Sequence, residues 1–218
     1  DLMKLLDGIQ EDGDDTPKEK RIILIDALNL FFRNFAVIGT LNSEGAHVGG
    51  LGGFFRSLGA LIRNLEADQV YVVFDGIGGS NNRKNLIPEY KSGRMNSRIT
   101  NWEAFDSVED ESNSQIDQIT RIAQYLKTLP VKTVQIDKVE ADDVIAYVGE
   151  KLSHDKNNKI FIVSSDKDYL QLAKENLIIY RPIEKKYYTP STVEEQFGCP
   201  AENFILYKLL MGDSSDKI

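Results

Sequence analysis

The residues whose types and spacing could do chemistry are acids: Asp26, Asp75, Glu140, Asp142, Asp143, Asp166 and Asp168. Asp26 and Asp75 each close a short apolar run, and Asp166 follows another. Glu140, Asp142 and Asp143 come just after a further run, where a helix should begin. On that helix Glu140 and Asp143 share a face, while Asp142 lies about 100° round it. A dense group of carboxylates repels itself and raises its own pKa values, and hard oxygen-seeking cations turn that repulsion into ligation. Magnesium is the natural ion, with manganese as a substitute, and two such ions can activate water, orient a phosphodiester and stabilise charge on its attacking and leaving oxygens. Taken singly, Asp26 or Asp75 reads as a helix N-cap or a turn residue, and only the joint pattern gives the metal reading. Zinc is disfavoured because Cys199, His47 and His154 have no ligand-like spacing. Those three read as structural or surface residues, which argues equally against a histidine phosphodiesterase or a cysteine hydrolase.

The elements that must position these acids are legible from hydrophobic period. Runs at 21–26, 70–75, 131–136, 159–164 and 177–180 are short and apolar on both faces, as in covered parallel strands. Between them, Phe54, Phe55, Leu58, Leu61, Ile62 and Leu65 recur three and four apart, and so do Ile116, Ile119, Ile122, Ala123 and Leu126. Each set predicts a helix with one apolar stripe. The alternation predicts an α/β fold, a mainly parallel central sheet flanked by helices, and places the acids in the crevice beyond the carboxyl ends of its strands. Leu206, Leu209 and Leu210 predict a last helix ending near Gly212, which would bring Asp213 and Asp216 toward the same crevice.

Two further segments differ in character. Residues 83–98 hold Arg83, Lys84, Lys91, Arg94 and Arg98 against only Glu89, with Tyr90 beside Lys91. Such a patch can hold phosphates while the ring stacks on a base, although a solvated basic loop has the same composition. Its place after Asp75 makes it a wall of the site's entrance, and the acidic stretch through Glu111 is expected to be mobile and to shield the site. Residues 1–20 read as a peripheral helix and solvated linker.

Composition sets the outer bounds. At 218 residues and 41% hydrophobic types, the chain can bury one substantial core. No apolar run approaches 18 residues, so no membrane span is expected. Cys199 is the only cysteine and no secretory signal pattern opens the chain, so a reducing, cytoplasmic setting is expected. The formal charge of −8 does not exclude a nucleic-acid substrate, since setting aside the nine candidate acids leaves a balance of +1.

The motifs resemble the 5′ exonuclease and flap endonuclease family. Ile25-Asp26-Ala27-Leu28-Asn29 is similar to its first metal motif, followed by a glycine-rich stretch over 50–61, and Val73-Phe74-Asp75-Gly76 is similar to its second. The segment from Arg83 through Pro88-Glu89-Tyr90-Lys91 to Arg94 resembles the basic approach to its helical arch. Val139-Glu140-Ala141-Asp142-Asp143, Ser165-Asp166-Lys167-Asp168-Tyr169-Leu170-Gln171-Leu172 and Gly212-Asp213-Ser214-Ser215-Asp216 complete the set in family order.

The resemblance implies a PIN-like 5′ nuclease core over 21–218 with an arch-like region at about 80–115 and duplex-binding helices expected beyond residue 218. It implies hydrolysis of phosphodiesters in branched or nicked DNA and in RNA–DNA primer hybrids. Two Mg²⁺ ions are implied: Asp26, Asp75, Glu140, Asp142 and Asp166 mainly at the first, and Asp143, Asp168, Asp213 and Asp216 at the second. Lys91 and Arg94 would contact the scissile phosphate, and Tyr90 an unpaired end. A monomer working with a replication accessory protein, in the host cytoplasm if phage-encoded, is the biological setting implied. A PIN-like ribonuclease acting on single-stranded RNA and a noncatalytic nucleic-acid-binding module are the alternatives.

Overall fold

The computed structural model describes residues 19–86 and 98–212. Strands β1 (Lys20–Asp26), β2 (Gln69–Phe74), β3 (Lys132–Gln135), β4 (Asn158–Val163), β5 (Leu177–Arg181) and β6 (Lys186–Tyr188) form one sheet in the order β3-β2-β1-β4-β5-β6. The first five run parallel, and β6 returns antiparallel against β5. The helices are α1 (Ala27–Val37), α2 (Gly49–Leu65), α3 (Asn81–Leu86), α4 (Val108–Leu126), α5 (Ala141–Ser153), α6 (Pro190–Phe197) and α7 (Phe204–Met211), with a 3₁₀ segment at Lys167–Leu172.

The strands are apolar on both faces because both are covered. Ile23 and Ile25 of β1 join one cluster with Phe161 and Val163 of β4, Phe31 and Phe35 of α1, Phe54 and Leu58 of α2, and Ile122 and Leu126 of α4. Their alternate neighbours Ile22 and Leu24 join the other, with Ile160 and Ile162 of β4, Val144 and Ile145 of α5, Tyr169, Val193 and Phe204. Burying each of these aliphatic side chains stabilises the fold by about 1.5–3 kcal/mol. Glycine lets α1 and α2 approach closely, since a Cβ at Gly53 would lie 2.7 Å from the Asn34 side chain.

From β1 the chain winds outward through β2 and β3, then crosses back to lay β4 and β5 on β1's other side. Ile25 pairs in register with Val163, so Asp26 and Ser164 leave the two central strands side by side at the sheet's switch point.

Several expectations are corrected. The run at 131–136 forms only the short edge strand β3 (Lys132–Gln135), which is largely exposed, and Ile136 just beyond it is 48% exposed. The buried face of α4 is Glu111, Gln115, Gln118, Ile122 and Leu126, while Ile116 faces solvent. Gln118 turns inward because its amide donates to the His47 carbonyl and its oxygen accepts the Leu51 N–H. Within the acidic stretch ending at Glu111, Ser107 caps α4, and the buried Glu111 carboxylate is fixed by accepting the backbone N–H groups of Thr100 and Asn101. Helix α7 forms as expected, but Phe204 is its buried residue, and Leu206, Leu209 and Leu210 are exposed among the described residues. Residues 1–18, Tyr90, Lys91, Arg94, Asp213 and Asp216 lie outside the described residues. No helix among the described residues is long and apolar enough to cross a membrane.

Candidate metal centre

Asp26 is the last residue of β1 and the N-cap of α1, where its Oδ1 accepts the Asn29 N–H at 3.0 Å. The N-cap reading of this residue therefore holds, and the cap engages only one of its two oxygens. Its side chain is buried, and burial pushes the carboxyl from its ordinary 3.8 up to about 7. The neighbouring charges of Asp142, Asp75 and Asp166 push in the same direction, against the Asn29 N–H bond, which lowers it. Three acids from three other segments thus lie within electrostatic reach of Asp26.

Asp75 follows β2, and its Oδ1 accepts the Ala141 N–H at 2.6 Å, so β2's acid caps the start of α5. The approach is close enough to demand glycine next to it: a Cβ on Gly76 would sit 1.7 Å from the Ile136 carbonyl oxygen, and the Gly76 N–H donates to Val139 at 2.9 Å. Glu140 occupies the N-cap position of α5, with Asp142 and Asp143 in the first turn, where the helix dipole favours negative charge. Asp166 caps the 3₁₀ segment by accepting the Asp168 N–H at 2.8 Å.

A cavity of about 330 Å³ opens between these elements, lined by Arg83, Asp142, Asp143, Asp166, Asp168 and Tyr169 among others. Arg83, from α3, forms an ion pair with the buried Glu140 and donates to Asp143 at 2.8 Å. Tyr169 donates its hydroxyl to Asp142 Oδ1 at 2.9 Å. Burial pushes the Tyr169 phenol well up, with Asp142 and Asp26 adding to the effect, so it stays a donor. Lys208 of α7 pairs with Asp168.

Four of the nine acids named from the sequence, Asp142, Asp143, Asp166 and Asp168, thus line one crevice together with Arg83, with Glu140 paired to Arg83 and Asp26 and Asp75 in electrostatic contact with the group; Lys84 and Arg98 are exposed and do not line it. His47 and His154 take no part: His47 is buried with Nε2 2.9 Å from the Ile38 carbonyl, and His154 sits 3.6 Å from Glu150. Cys199 is half-buried. Tyr169 and Lys208 were not picked out from the sequence. A lone phenol inside the Asp166-Lys167-Asp168 motif and a lone lysine in the apolar run of α7 were the available signals.

Among the described residues no three His, Cys, Asp or Glu side chains are already gathered at ligating distance. The partners of the acids account for this, since each carboxylate is drawn toward its own donor or cation: Arg83, Lys208, Tyr169 or a backbone N–H. The donor set is nonetheless all-carboxylate, crowded and partly buried, and it fits divalent cations.

The class defined by fold and site is an α/β protein with an acidic centre at the switch point of a mainly parallel sheet. Residues 21–198 match the family model of the 5′–3′ exonuclease N-terminal resolvase-like domain, and the chain belongs to that family. It is 29% identical over 203 residues to a 5′–3′ exonuclease of Buchnera aphidicola subsp. Schizaphis graminum, covering 92% of this chain and 65% of that protein. Against a 5′–3′ exonuclease of Aquifex aeolicus it is 30% identical over 200 residues, covering 91% and 64%. With DNA polymerase I of Streptococcus pneumoniae it shares 31% identity over 211 residues, covering 92% of this chain and 22% of the polymerase. The chain thus spans about two thirds of the length of the exonuclease relatives. The fold matches that of the T5 D15 protein co-crystallised with metal ions, with a TM-score of 0.70, 22% identity, and coverage of 91% of this chain and 69% of that one.

Proposed function

We propose that this chain is the catalytic part of a divalent-metal-dependent 5′ nuclease that hydrolyses phosphodiesters in branched or nicked DNA and in RNA–DNA primer hybrids. One observation supports it above the others: Asp26, Asp75, Asp142 and Asp166 come from four separate segments, yet the last three lie close enough to Asp26 for their charges to add to the burial that raises its carboxyl. Such crowding is costly for a fold and is relieved by cations. The exonuclease relatives, and the matching fold of a T5 D15 flap endonuclease pseudo-enzyme–product complex with DNA and metal ions (TM-score 0.68, 20% identity, coverage of 89% of this chain and 67% of that one), support the same reading.

Asp26, Asp75, Glu140, Asp142 and Asp166 would hold one Mg²⁺, and Asp143, Asp168, Asp213 and Asp216 would help hold a second, with Mn²⁺ as a substitute. Bound there, the ions supply Lewis acidity and positive charge at the phosphodiester. Tyr169 orients Asp142 through its hydroxyl, and the first turn of α5 offsets the charge of Asp142 and Asp143. Arg83, Lys91 and Arg94 supply cationic donors for the phosphates of the strand being cut.

A labelled panel of 5′ flap, nicked duplex, primer hybrid and single-stranded RNA, each with Mg²⁺ or with chelator, tests the assignment. Cleavage of the first three in Mg²⁺ alone is expected. Undiminished cleavage in chelator, or cleavage confined to unstructured RNA, overturns it.

A further inference from the structure

Asp26 and Asp166 sit at the ends of neighbouring strands, and a site that binds cations between them needs their separation held constant. The side chain and the backbone of Asn29 together span that gap. Its N–H donates to Asp26 Oδ1 at 3.0 Å, while its own Oδ1 accepts the Ser165 N–H at 3.0 Å, from a residue 136 positions away in sequence. Ser165 is where the chain leaves β4. The Ser164 N–H still reaches the Tyr180 carbonyl of β5 at 3.3 Å, and from Ser165 onward the backbone turns toward Asp166.

The carbonyl of Ser165 is held from the opposite side. Arg181, at the end of β5 and only 8% exposed, donates Nη2 to it at 2.9 Å. Arg181 is itself fixed by an ion pair with Glu184, whose second oxygen accepts the hydroxyl of the fully buried Tyr188 at 2.7 Å. Both peptide groups flanking Ser165 are therefore anchored, one from α1 and one from β5. The Asp166 N–H donates to Ser164 Oγ at 3.2 Å, which adds a local tie. A buried arginine aimed at a main-chain carbonyl is an expensive way to satisfy one acceptor, and it is used here beside an acid of the cluster.

We propose that Asn29 and Arg181 are positioning residues that clamp the Ser165 peptides and so set the distance between the Asp26 and Asp166 carboxylates. This rests on the metal-centre reading above. Neither side chain need touch an ion or the substrate. Each acts through the Ser165 backbone, as partners behind metal-ligating side chains do elsewhere.

The test uses the full chain and four variants in two pairs. Asn29→Leu keeps the shape and removes the acceptor, while Asn29→Asp keeps an acceptor. Arg181→Met removes the donor, while Arg181→Lys keeps one. Mn²⁺ binding without substrate is read by electron paramagnetic resonance, kcat and KM are measured on a 5′-flap DNA, and melting is followed by circular dichroism. Asn29→Leu and Arg181→Met are expected to weaken Mn²⁺ binding and lower kcat by about 10-fold each, with KM within about twofold. Asn29→Asp and Arg181→Lys should recover most of both losses. Wild-type Mn²⁺ affinity and kcat in folded Asn29→Leu overturn the proposal, as does a loss confined to melting temperature. If one of the deletions fails to fold, the other pair decides. Asp26→Asn and Asp166→Asn serve as references: if they bind Mn²⁺ like the wild type, the metal-centre reading falls and the clamp with it. If they lose binding while Asn29→Leu and Arg181→Met do not, only the clamp falls.

Discussion

Replacing Asp26 by Asn should make the metal-stripped protein more stable while removing its activity. The Asp26 carboxyl is buried, and its pKa stands at about 7 in the fold against an ordinary 3.8. At about 1.4 kcal/mol for each tenfold change in proton affinity, that displacement corresponds to about 4 kcal/mol. Between 3.8 and 7 the folded protein binds a proton that the unfolded chain has released. This contribution therefore favours the fold at acid pH, declines as pH rises through the window, and leaves the full penalty above 7. Asn cannot ionise, yet it keeps an oxygen for the Asn29 N–H that Asp26 accepts at 3.0 Å, so the cap of α1 survives. Urea denaturation in chelator at pH 5, 6, 7 and 8 should show the variant gaining on the wild type with rising pH, by about 2–4 kcal/mol at pH 8. Adding Mg²⁺ should reverse the order, because ions that bind the folded wild type more tightly stabilise it more. A variant less stable than the wild type at pH 8 in chelator, or one with an unchanged pH slope, refutes the account of a buried acid kept for its charge.

Tyr169→Phe deletes the hydroxyl that donates to Asp142 at 2.9 Å and should lower kcat by about tenfold, since a hydrogen bond to a charged group is worth about 1.5–3 kcal/mol; single-turnover rates at saturating Mg²⁺ check it. Glu111→Ala leaves the Thr100 and Asn101 N–H groups without their acceptor and should cost about 3 kcal/mol of stability in urea titration, with Mg²⁺ binding unchanged in the folded protein. Lys91→Ala and Arg94→Ala should slow cleavage without weakening metal binding, as groups that hold phosphate would. Normal cleavage by both variants across a salt series would leave that segment a surface loop in function.

How much of this was legible depended on whether a residue's partner was local. The central strands could be read because β1, β2 and β4 send alternate apolar residues to two clusters, which demands apolar types at every position. Strand β6 could not: Lys186, Tyr187 and Tyr188 form three residues at an edge, and only pairing with β5 makes them a strand. Period failed on α4 because its inward face begins with Glu111, Gln115 and Gln118. Polar residues are buried there to satisfy groups on distant segments, at Thr100, Asn101, Leu51 and His47, which no local window contains. The acids were visible as strand-end residues, and their convergence followed from the α/β pattern. Their pairings were not visible, even for Arg83, whose basic character stood out, since Arg83, Tyr169 and Lys208 reach them across 60, 27 and 40 residues of sequence.

The same acids close helices and crowd into one crevice, and these two roles support each other. Asp26 accepts the Asn29 N–H in the first turn of α1, Asp75 accepts the Ala141 N–H that opens α5, and Asp166 accepts the Asp168 N–H of the 3₁₀ segment. Helix starts carry N–H groups with no partner inside the helix and a partial positive charge, so an acid placed there satisfies a donor and has part of its own charge offset. That offset is what lets a chain fold with so many carboxylates close together before any cation binds. It is incomplete at Asp26, where burial outweighs the Asn29 bond and the carboxyl stays high. Each of these bonds engages one oxygen, and a carboxylate has two, so anchoring to the backbone and ligating a cation do not compete for the same atom. An acid anchored in this way brings a cation a ligand whose direction is already set by the fold. The cation in turn supplies the positive charge that the helix starts provide only in part.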